Sequence, residues 1–510
     1  AGLISGASAP AQSAPATTVA LGHSLVPLNG PWKFRIGDNP QWASPNFDDS
    51  TWETVDLTPA AGSVDPNQGI HGFVPGWTAK GHPGYSGYAW YRIRVRVTGA
   101  DGPLALRAPV NVDDSYQVFA NGRPIGSFGN FSRPVPTIYN TRPLMFSIPA
   151  GVLSHGSDGT MELAFRFYMA PRTLLQIDPG GMHDPPSIGF ADSVTAAYHV
   201  AWESYLEALS SVLSSVVLLV GFSLLIFMLY IFDRTETMIL WPLAASVFSV
   251  LFLCAIAFSA YSLALTALQN SLLQNVLVPV SVGLWLMTWL VYYGLSAKKW
   301  IRTAILALVC WDIFFGLLFE TLTLRGRNIP HSVFTAFRTT DVISDAVNIA
   351  LLVLIAFYGI RKAGRVDRML LLALIFFGVP NLNPLFQLLH VPTVFFPYGI
   401  NVQLSLLTLL ASLFCFSFVL IRHFRASQRR QQAMAHDVKQ AQEVQQVLIP
   451  EKLPHVAGLA IESEYRPASE VGGDFFQIIP HASDGSALIV AGDVTGKGLQ
   501  AGMLVALIVG

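Results

Sequence analysis

Residues 471–498 read VGGDFFQIIPHASDGSALIVAGDVTGKG, and this stretch decides how the end of the chain folds. It holds two apolar runs, Phe475–Ile479 and Ala487–Val490, separated by a short polar segment that contains glycine. Two such runs joined by a short loop predict a β-hairpin. With the turn midway along the loop, Asp474 and Asp493 lie directly opposite each other, and their Cβ atoms are roughly 4.5–5.5 Å apart.

Two carboxylates at that separation suggest a cation site. They repel each other unless a proton or a cation lies between them. Glycine-rich segments flank both aspartates at the same end of the hairpin and leave room for a hydrated ion. Hard oxygen ligands of this kind suit Mg²⁺ or Mn²⁺. The alternative is that Asp474 and Asp493 only end their strands beside glycine turns, where Asp is common.

Longer motifs around the hairpin carry a family resemblance. They are AQEVQQVLIP at 441–450, YRPA at 465–468, VGGD at 471–474 and AGDVTGKG at 491–498. Together they resemble the SpoIIE-like branch of the protein phosphatase 2C family over residues 440–510. The resemblance implies that residues 451–510 begin an α+β phosphatase domain, and that Asp474, Asp493 and the carbonyl of Val494 bind two Mg²⁺ or Mn²⁺ ions.

The chemistry that this resemblance implies is hydrolysis of phosphoserine or phosphothreonine by a metal-dependent protein phosphatase. The two ions would clamp the phosphate and lower the pKa of an attacking water, so no catalytic residue beyond the metal ligands is expected. A P-loop is excluded, because Gly492–Gly498 lacks the required order and spacing. The family's other metal-binding acids lie further along than Gly510, so we expect a truncated phosphatase domain that is inactive by itself.

The middle of the chain is poor in charge. Charged residues make up 12% of the sequence and apolar residues 52%, whereas soluble proteins have about 25% charged residues. Residues 207–421 contain seven apolar runs near the length of about 20 residues that crosses a bilayer. The seven predicted transmembrane helices are Ala208–Phe232, Met238–Leu263, Leu272–Leu295, Ile301–Leu324, Val342–Ile360, Met369–Leu389 and Phe396–Ile421. Pro380 and Pro384 interrupt the sixth.

Basic residues predict the orientation of these helices. The loops after the first, third and fifth helices and the tail after the seventh hold Arg234, Lys298, Lys299, Arg302, Arg361, Lys362, Arg365, Arg368, Arg422, Arg425, Arg429 and Arg430. The opposite loops hold Arg325 and Arg327, with Arg338 at the mouth of the fifth helix. The pattern predicts a multi-pass protein of the bacterial inner membrane, with its N-terminus outside and its C-terminus in the cytoplasm.

Several ionisable residues fall inside the predicted helices or at their edges. They are Asp312, Glu320, Asp341 and Asp345. Such residues are candidates for function in a membrane. Two interpretations stay open: a polar switch in the bundle, or an interhelical hydrogen-bond network near the outer surface.

The N-terminal region predicts a separate exported domain. Residues 1–27 are rich in Ala, Ser and Pro and are interpreted as a leader or signal-peptide remnant. Residues 28–200 contain short alternating runs that predict an all-β jelly roll with a connection to the membrane. The clearest run is Trp90–Val97, in which every second residue from Tyr91 is apolar and the arginines alternate with them.

The motifs of this region come in a recognisable order. They are LNGPWKF at 28–34, DDSTW at 48–52, YAWYR at 88–92 and YQVFANG at 116–122. They resemble the galactose-binding-like jelly roll that accompanies glycoside hydrolase family 2 catalytic domains, over about residues 28–170. Trp42, Trp52 and Trp77 are candidates for stacking on a sugar, with burial in the core as the alternative. All three cysteines fall in the apolar helices, which leaves no disulfide for the exported part.

Residues 422–450 predict a cytoplasmic connector helix. Its apolar stripe consists of Met434, Val438, Ala441, Val444 and Leu448. Such a stripe forms either a two-stranded coil that joins two protomers in a homodimer or a lone helix packed on its own phosphatase domain.

The predicted order of domains is similar to bacterial seven-helix receptors that combine a carbohydrate-binding-like exterior with intracellular signalling modules. The similarity implies a receptor that couples an exterior small molecule or glycan to dephosphorylation of a regulatory phosphoprotein. By family analogy that partner is an anti-sigma-factor antagonist. The alternatives are a membrane glycan-binding or transport protein, or a scaffold, whose cytoplasmic tail is not catalytic. Membrane lipid is a further expected partner, and nucleic acid is not.

Overall fold

The structure is a computed structural model of the 510-residue chain. It describes residues 16–22, 24–64, 72–99, 102–153, 159–323, 330–363, 368–382, 386, 391–395, 402–448, 454–456, 458–466, 473–481, 486–495 and 499–509. The chain divides into two units, Ala1–Cys415 and Phe416–Gly510. Most of the predicted leader lies outside the described residues.

The first unit begins with a β-rich region, called here the β-domain. Its strands are β1 Thr17–Ala20, β2 Val26–Pro27, β3 Trp32–Ile36, β4 Glu53–Val55, β5 Gly87–Thr98, β6 Leu104–Arg107, β7 Val112–Asp113, β8 Ser115–Ala120, β9 Arg123–Phe128, β10 Met145–Ile148, β11 Thr160–Met169, β12 Gly181–Met182 and β13 Ser187–Phe190. A single-turn helix, α1, spans Ala150–Leu153.

Two larger sheets and a two-stranded sheet of β7 and β12 form the described β-domain. Of the two larger sheets, one has the order β4-β3-β5-β11-β8-β9, with β1 parallel to β5, and the other has the order β10-β6-β13-β2. One hydrophobic core draws residues from both sheets, including Trp32, Phe165, Leu106 and Ile188. The prediction of a β-rich N-terminal region is therefore confirmed.

The predicted leader overlaps this fold. Thr17–Ala20 pairs with Val95–Thr98 of β5, and Val19 is buried in the core. The boundary placed after residue 27 is therefore wrong, since the β-domain has begun by Thr17. Thr17, Thr18 and Val19 favour a strand although they lie beside an Ala- and Ser-rich run.

The central strand β5 follows the predicted alternation on one face. Tyr91, Ile93, Val95 and Val97 are all buried in the core between the sheets. On the other face Arg92 has no exposed surface, although alternation alone places it toward solvent.

A buried ionic cluster surrounds Arg92. Its Nε donates to Asp49 Oδ2 at 2.8 Å, and its Nη2 lies 3.2 Å from Glu162 Oε1. Nη1 donates to the carbonyl of Ser44 at 3.0 Å. Arg94 approaches the other oxygen of Glu162 at 3.3 Å. A residue predicted to lie on an outer face is thus the centre of a second, polar core.

Tryptophans cover this cluster. Trp52 packs against Trp42 with ring centroids 5.0 Å apart, and the Arg92 guanidinium lies 5.9 Å from the Trp52 ring. Trp52 is 5% exposed and Trp77 is 1% exposed. Both are core residues, which is the alternative that the sequence left open to stacking on a sugar, whereas Trp42 is half-buried.

The Glu162 carboxyl gives the β-domain a pH dependence. Burial raises its pKa to about 7, and the charges of Arg92 and Arg94 offset only part of that rise. A carboxyl whose pKa is higher in the folded state contributes stability below its unfolded pKa of about 4.5, and that contribution is lost as the pH rises through about 7. We therefore expect the Tm of the wild type to fall more between about pH 5 and pH 8 than the Tm of Glu162→Gln. Equal falls in thermal melts of the purified chain would contradict this.

The helical region follows β13 without a break. Its helices are α2 Ala191–Phe232, α3 Leu240–Tyr261, α4 Ala267–Tyr292, α5 Lys299–Thr323, α6 His331–Ala363, α7 Arg368–Gly378 and α8 Leu404–Leu448. A two-stranded ribbon, β14 Val394–Phe395 with β15 Val402–Gln403, precedes α8. Within the described residues, all of these helices except α7 are long and apolar enough to cross a membrane, six in total.

The predicted sixth span differs from the structure. Helix α7 ends at Gly378 and tightens into a 3₁₀ turn at Val379–Leu382, where Pro380 cannot donate a backbone hydrogen bond. Its 11 residues extend about 16 Å, roughly half of a bilayer's hydrocarbon core. The described part of the chain therefore has six long apolar helices and the shorter α7, and the count of seven spans stays a prediction, since residues 383–385, 387–390 and 396–401 lie outside the described residues.

Small residues let these helices approach closely. Ser223 donates to Ser246 Oγ at 2.7 Å between α2 and α3, and the hydroxyls of Ser249 and Ser281 are 2.7 Å apart between α3 and α4. Gly359 of α6 lies against the ring of Tyr293, where a Cβ would be 2.1 Å from Cδ1. Small residues and interhelical hydrogen bonds of this kind let apolar helices pack closely.

We expect Gly359→Ala to destabilise the helical region. The added methyl group has no space and must displace an aromatic ring, which typically costs about 1–3 kcal/mol. Gly221→Ala is the matched control, because a Cβ at Gly221 of α2 meets nothing within 4 Å. Thermal melts of the detergent-solubilised protein should show a lower Tm for Gly359→Ala alone. Equal Tm values for the two variants would refute this packing argument.

Helix α8 continues for 45 residues from an apolar half into the polar segment predicted as the connector. Its helical conformation is as predicted up to Leu448. Met434, the first residue of the apolar stripe, is 70% exposed. The choice between a two-stranded coil and a lone helix stays open.

The second unit ends in three elements. Strand β16 spans Asp474–Pro480, strand β17 spans Ala487–Asp493, and helix α9 spans Leu499–Val509. The side chain of Gln477 in β16 donates to the carbonyl of Val509 at 3.2 Å. The helix thus packs against the hairpin that carries the two aspartates.

Candidate metal site at the β16–β17 hairpin

The hairpin has the predicted register. β16 and β17 are antiparallel, and Asp474 pairs directly with Asp493. The amide of His481 donates to the carbonyl of Ser486 at 2.7 Å and closes the loop. Directly opposed residues of an antiparallel pair project from the same face. The two carboxylates therefore share one face at the open end of the hairpin, and both side chains are exposed.

A glycine shapes the space beside them. Gly473 pairs with Val494, whose amide donates to the Gly473 carbonyl at 2.9 Å. A Cβ placed on Gly473 would lie 2.5 Å from the carbonyl oxygen of Val494 and 3.0 Å from Oδ1 of Asp493. Both oxygens thus approach the same point beside the Gly473 backbone. Glycine is the residue that permits this convergence, because any side chain would fill the space.

These oxygens form a donor set that fits a hard divalent cation. Two carboxylates and one backbone carbonyl are ligands typical of Mg²⁺, Mn²⁺ and Ca²⁺. In the described residues there is no group of three or more His, Cys, Asp or Glu side chains that could hold an ion. The hairpin would therefore supply only part of a coordination shell, and water or other ligands would complete it.

A shallow pocket of about 390 Å³ adjoins Asp474. It is lined by Glu464, Tyr465, Arg466, Asp474, Phe475 and Phe476. Glu464 and Arg466 form an ion pair with largely exposed side chains. The pocket places the Arg466 guanidinium and a phenol beside the carboxylates of Glu464 and Asp474, so an anionic group would need a bound cation to offset these negative charges.

The pocket shifts the pKa of the Tyr465 phenol. Burial raises the pKa of its phenol, and the negative charge of Asp474 adds to that rise. The phenol therefore stays protonated at neutral pH and is available as a hydrogen-bond donor.

Sequence reasoning found part of this site. The pairing of Asp474 with Asp493 and the neighbouring Val494 follow from the hairpin pattern and the resemblance, and their role as metal ligands stays a prediction. Glu464 and Arg466 were not singled out, although the YRPA motif contains the arginine. Lys497 and the first two residues of the VGGD motif lie outside the described residues.

We expect Gly473→Ala to weaken binding of Mn²⁺ to the full-length protein by about 10-fold or more. The new methyl group would displace the Val494 carbonyl and Asp493 Oδ1, and disturbed ligand positions typically cost 10–100-fold in metal affinity. Gly221→Ala serves as the control, because it adds a methyl group in open space. The check is a Mn²⁺ titration followed by electron paramagnetic resonance. Equal Mn²⁺ affinity in the two variants would show that the oxygens beside Gly473 take no part in metal binding.

Comparison with known proteins gave a limited result. A scan against protein-family models found no match, and a search of curated proteins found none. Among solved structures, a calcium-binding mutant of Bacteroides uniformis β-glucuronidase 2 is 22% identical, with a TM-score of 0.23, over 32% of this chain and 18% of that chain. A glycosyl hydrolase family 2 member from Bacteroides cellulosilyticus is 16% identical, with a TM-score of 0.23, over 32% of this chain and 20% of that one.

A third similar structure is Ruminococcus gnavus β-glucuronidase in complex with uronic isofagomine. It is 13% identical, with a TM-score of 0.21, over 34% of this chain and 29% of that chain. The chain thus spans less than a third of the length of each of these three enzymes, and the likeness is confined to its N-terminal β-rich part. At these identities and TM-scores the likeness supports no conclusion about activity.

Proposed function

We propose that this chain is part of a transmembrane receptor whose cytoplasmic end is a Mg²⁺- or Mn²⁺-dependent protein serine/threonine phosphatase. The observation that carries the proposal is the direct pairing of Asp474 with Asp493, with the carbonyl of Val494 converging beside Gly473. The SpoIIE-like motifs around the hairpin supply the reaction class. Dephosphorylation of a phosphoserine or phosphothreonine regulator, such as an anti-sigma-factor antagonist, is the activity that these motifs favour.

In this proposal, Asp474, Asp493 and the Val494 carbonyl would hold the ions. The bound ions would supply charge stabilisation for the phosphate and an activated water. Arg466 would bind phosphate oxygens, because a guanidinium donates to two oxygens at once. The Tyr465 phenol, kept protonated, would donate a further hydrogen bond at the same pocket.

Helix lengths and contacts support a membrane location with the β-domain outside. Strand β13 runs directly into α2, the side-chain amide of Asn140 donates to Ser259 near the end of α3, and the first amide of α4 donates to the Ile138 carbonyl. These contacts place the β-domain at one end of the helices. The basic residues Arg234 and Lys298 follow the opposite ends of α2 and α4, as the positive-inside rule requires for a cytoplasmic face.

The exterior ligand of the receptor is a small molecule or glycan in this proposal. Burial of Trp52 and Trp77 removes two of the three predicted stacking residues, so the argument for a sugar rests on the resemblance alone. The receptor reading is preferred over a glycan-binding protein with a non-catalytic tail, because the paired aspartates and Gly473 form a partial metal site that such a tail does not need.

The test is phosphate release by the full-length protein in lipid nanodiscs. A phosphoserine peptide should lose its phosphate in the presence of MnCl₂, should be stable when EDTA is added, and should lose it again when excess Mn²⁺ is restored. A protein that folds, binds Mn²⁺ and releases no phosphate from phosphoserine or phosphothreonine peptides would overturn the proposal in favour of a non-catalytic tail.

A further inference from the structure

Arg172 of the β-domain contacts the interior of the helical region. It lies in a 3₁₀ turn, Pro171–Leu175, that follows β11. Its Nη1 is 2.8 Å from Oε1 of Glu320 in α5, and it also donates to the hydroxyl of Ser271 in α4. The Ser271 hydroxyl in turn donates to Glu320. One guanidinium therefore links the β-domain to two helices at once.

The helix side of this contact is buried. The side chain of Glu320 is 4% exposed, and Ser271 is also buried, whereas the side chain of Arg172 is 49% exposed. A buried carboxylate at the end of an apolar helix is costly unless a cation accompanies it. In the described residues, the cation within ion-pair distance of Glu320 is Arg172. The helices thus depend on the β-domain for the neutralisation of this charge.

The β-domain side of the contact is held firmly. Asp114, between β7 and β8, accepts hydrogen bonds from the Ala170 amide at 2.7 Å and from the Thr173 hydroxyl at 2.8 Å. Ala170 precedes the turn that carries Arg172, and Thr173 lies within it. A displacement of the β7–β8 junction would therefore move the guanidinium relative to Glu320 and Ser271.

Hydrogen bonds between neutral groups also cross this boundary. Asn140 donates to Ser259 Oγ at 2.9 Å, and the Ala267 amide donates to the Ile138 carbonyl at 2.9 Å. Charge-assisted bonds are roughly twice as strong as such neutral bonds. Loss of the Arg172 contact would also leave the buried carboxylate of Glu320 unpaired.

We propose that Arg172 is the coupling residue through which the β-domain acts on α4 and α5, by pairing with Glu320 and Ser271. When the β-domain holds its turn in place, the pair fixes the outer ends of α4 and α5. When the turn moves, Glu320 loses its cation and those helix ends must rearrange. The consequence for signalling rests on the proposed receptor function, but the contact and its energetic coupling do not.

The first experiment measures hydrogen–deuterium exchange of the full-length protein in nanodiscs. Arg172→Met should raise the exchange rate of residues 267–272 at the start of α4 by about tenfold or more, because an unpaired buried carboxylate favours local opening. Arg172→Lys, which keeps the charge, should recover most of the protection. Arg133→Met, which removes an exposed arginine of the same domain, should change nothing.

The double variant separates coupling from packing. Glu320→Gln removes the charge that Arg172→Met leaves unpaired, so Arg172→Met with Glu320→Gln should exchange more slowly at 267–272 than Arg172→Met alone. The proposal would be overturned if the increases in exchange rate were additive in the double variant, or if Arg172→Met exchanged at the wild-type rate. The double variant contains no unpaired charge at this position. It therefore still tests the proposal if Arg172→Met alone folds poorly.

The second experiment measures Mn²⁺-dependent phosphatase activity of the same variants. Arg172→Met should change the basal rate by about fivefold or more, and Arg172→Lys should restore it. Unchanged activity with altered exchange would overturn the coupling role and leave a purely structural contact. Absence of activity in the wild type would refute the proposed phosphatase, and the exchange data would then decide the inference by themselves.

Discussion

Replacing Asp493 by Asn is expected to lower the Mn²⁺-dependent phosphatase activity of the full-length protein by at least about 100-fold. Loss of a residue that only supports a metal ligand typically costs 10–100-fold, so loss of a ligand should cost at least the upper end of that range. Asn keeps the size of the side chain and removes its charge. The fold of the hairpin should therefore survive, since its register rests on the apolar runs and the backbone ladder.

Asp437→Asn is the matched control for this variant. Asp437 is an exposed carboxylate on α8 and lies well before the hairpin. It should retain wild-type activity at every Mn²⁺ concentration. If Asp493→Asn also retained wild-type activity, the assignment of Asp493 as a metal ligand would be wrong.

Arg92→Met is expected to destabilise the β-domain by about 3–5 kcal/mol near pH 8, the typical cost of removing one partner from a buried ionic cluster. Met fills a similar volume, so the loss is electrostatic rather than a cavity effect. The carboxyl groups of Asp49 and Glu162 would lose the guanidinium that both contact, and Arg94 would be left as a partner of Glu162. Near pH 5 the penalty should be smaller, because Glu162 can take up a proton there.

Thermal melts followed by tryptophan fluorescence would measure this effect, since Trp52 and Trp90 lie in the adjoining cluster. Arg123→Met, in β9 of the same sheet, is the control because Arg123 is exposed. It should shift the Tm little. A penalty for Arg92→Met that matched the control, or that grew toward acid pH, would contradict the role assigned to the cluster.

Local patterns predicted those features that depend on neighbouring residues. The two apolar runs and the short loop between them place Asp474 opposite Asp493, because a hairpin's register follows from its turn. Alternation likewise identified the core face of β5. The prolines marked the point where the sixth predicted span fails, although the sequence alone did not show that α7 ends at Gly378.

Features that depend on distant residues could not be predicted in this way. Arg92 is buried because Asp49 and Glu162 reach it from other strands and loops. The two-residue alternation of a strand predicts only the face of β5 on which Arg92 lies. Strand β1 was missed for a related reason, since Thr17–Ala20 is ordered by β5 rather than by its own pattern. At the candidate site, the convergence of oxygens beside Gly473 depends on the geometry at the end of the ladder. The VGGD motif contains this glycine, but the sequence alone does not show why a glycine is required there.

A Mn²⁺ titration of the full-length protein, followed by electron paramagnetic resonance, tests the central claim most directly. The wild type should bind two Mn²⁺ ions, and the variant that carries both Asp474→Asn and Asp493→Asn should bind them at least about 100-fold more weakly. If the folded double variant bound Mn²⁺ with wild-type affinity, the paired aspartates would hold no metal. That result would refute the phosphatase proposal.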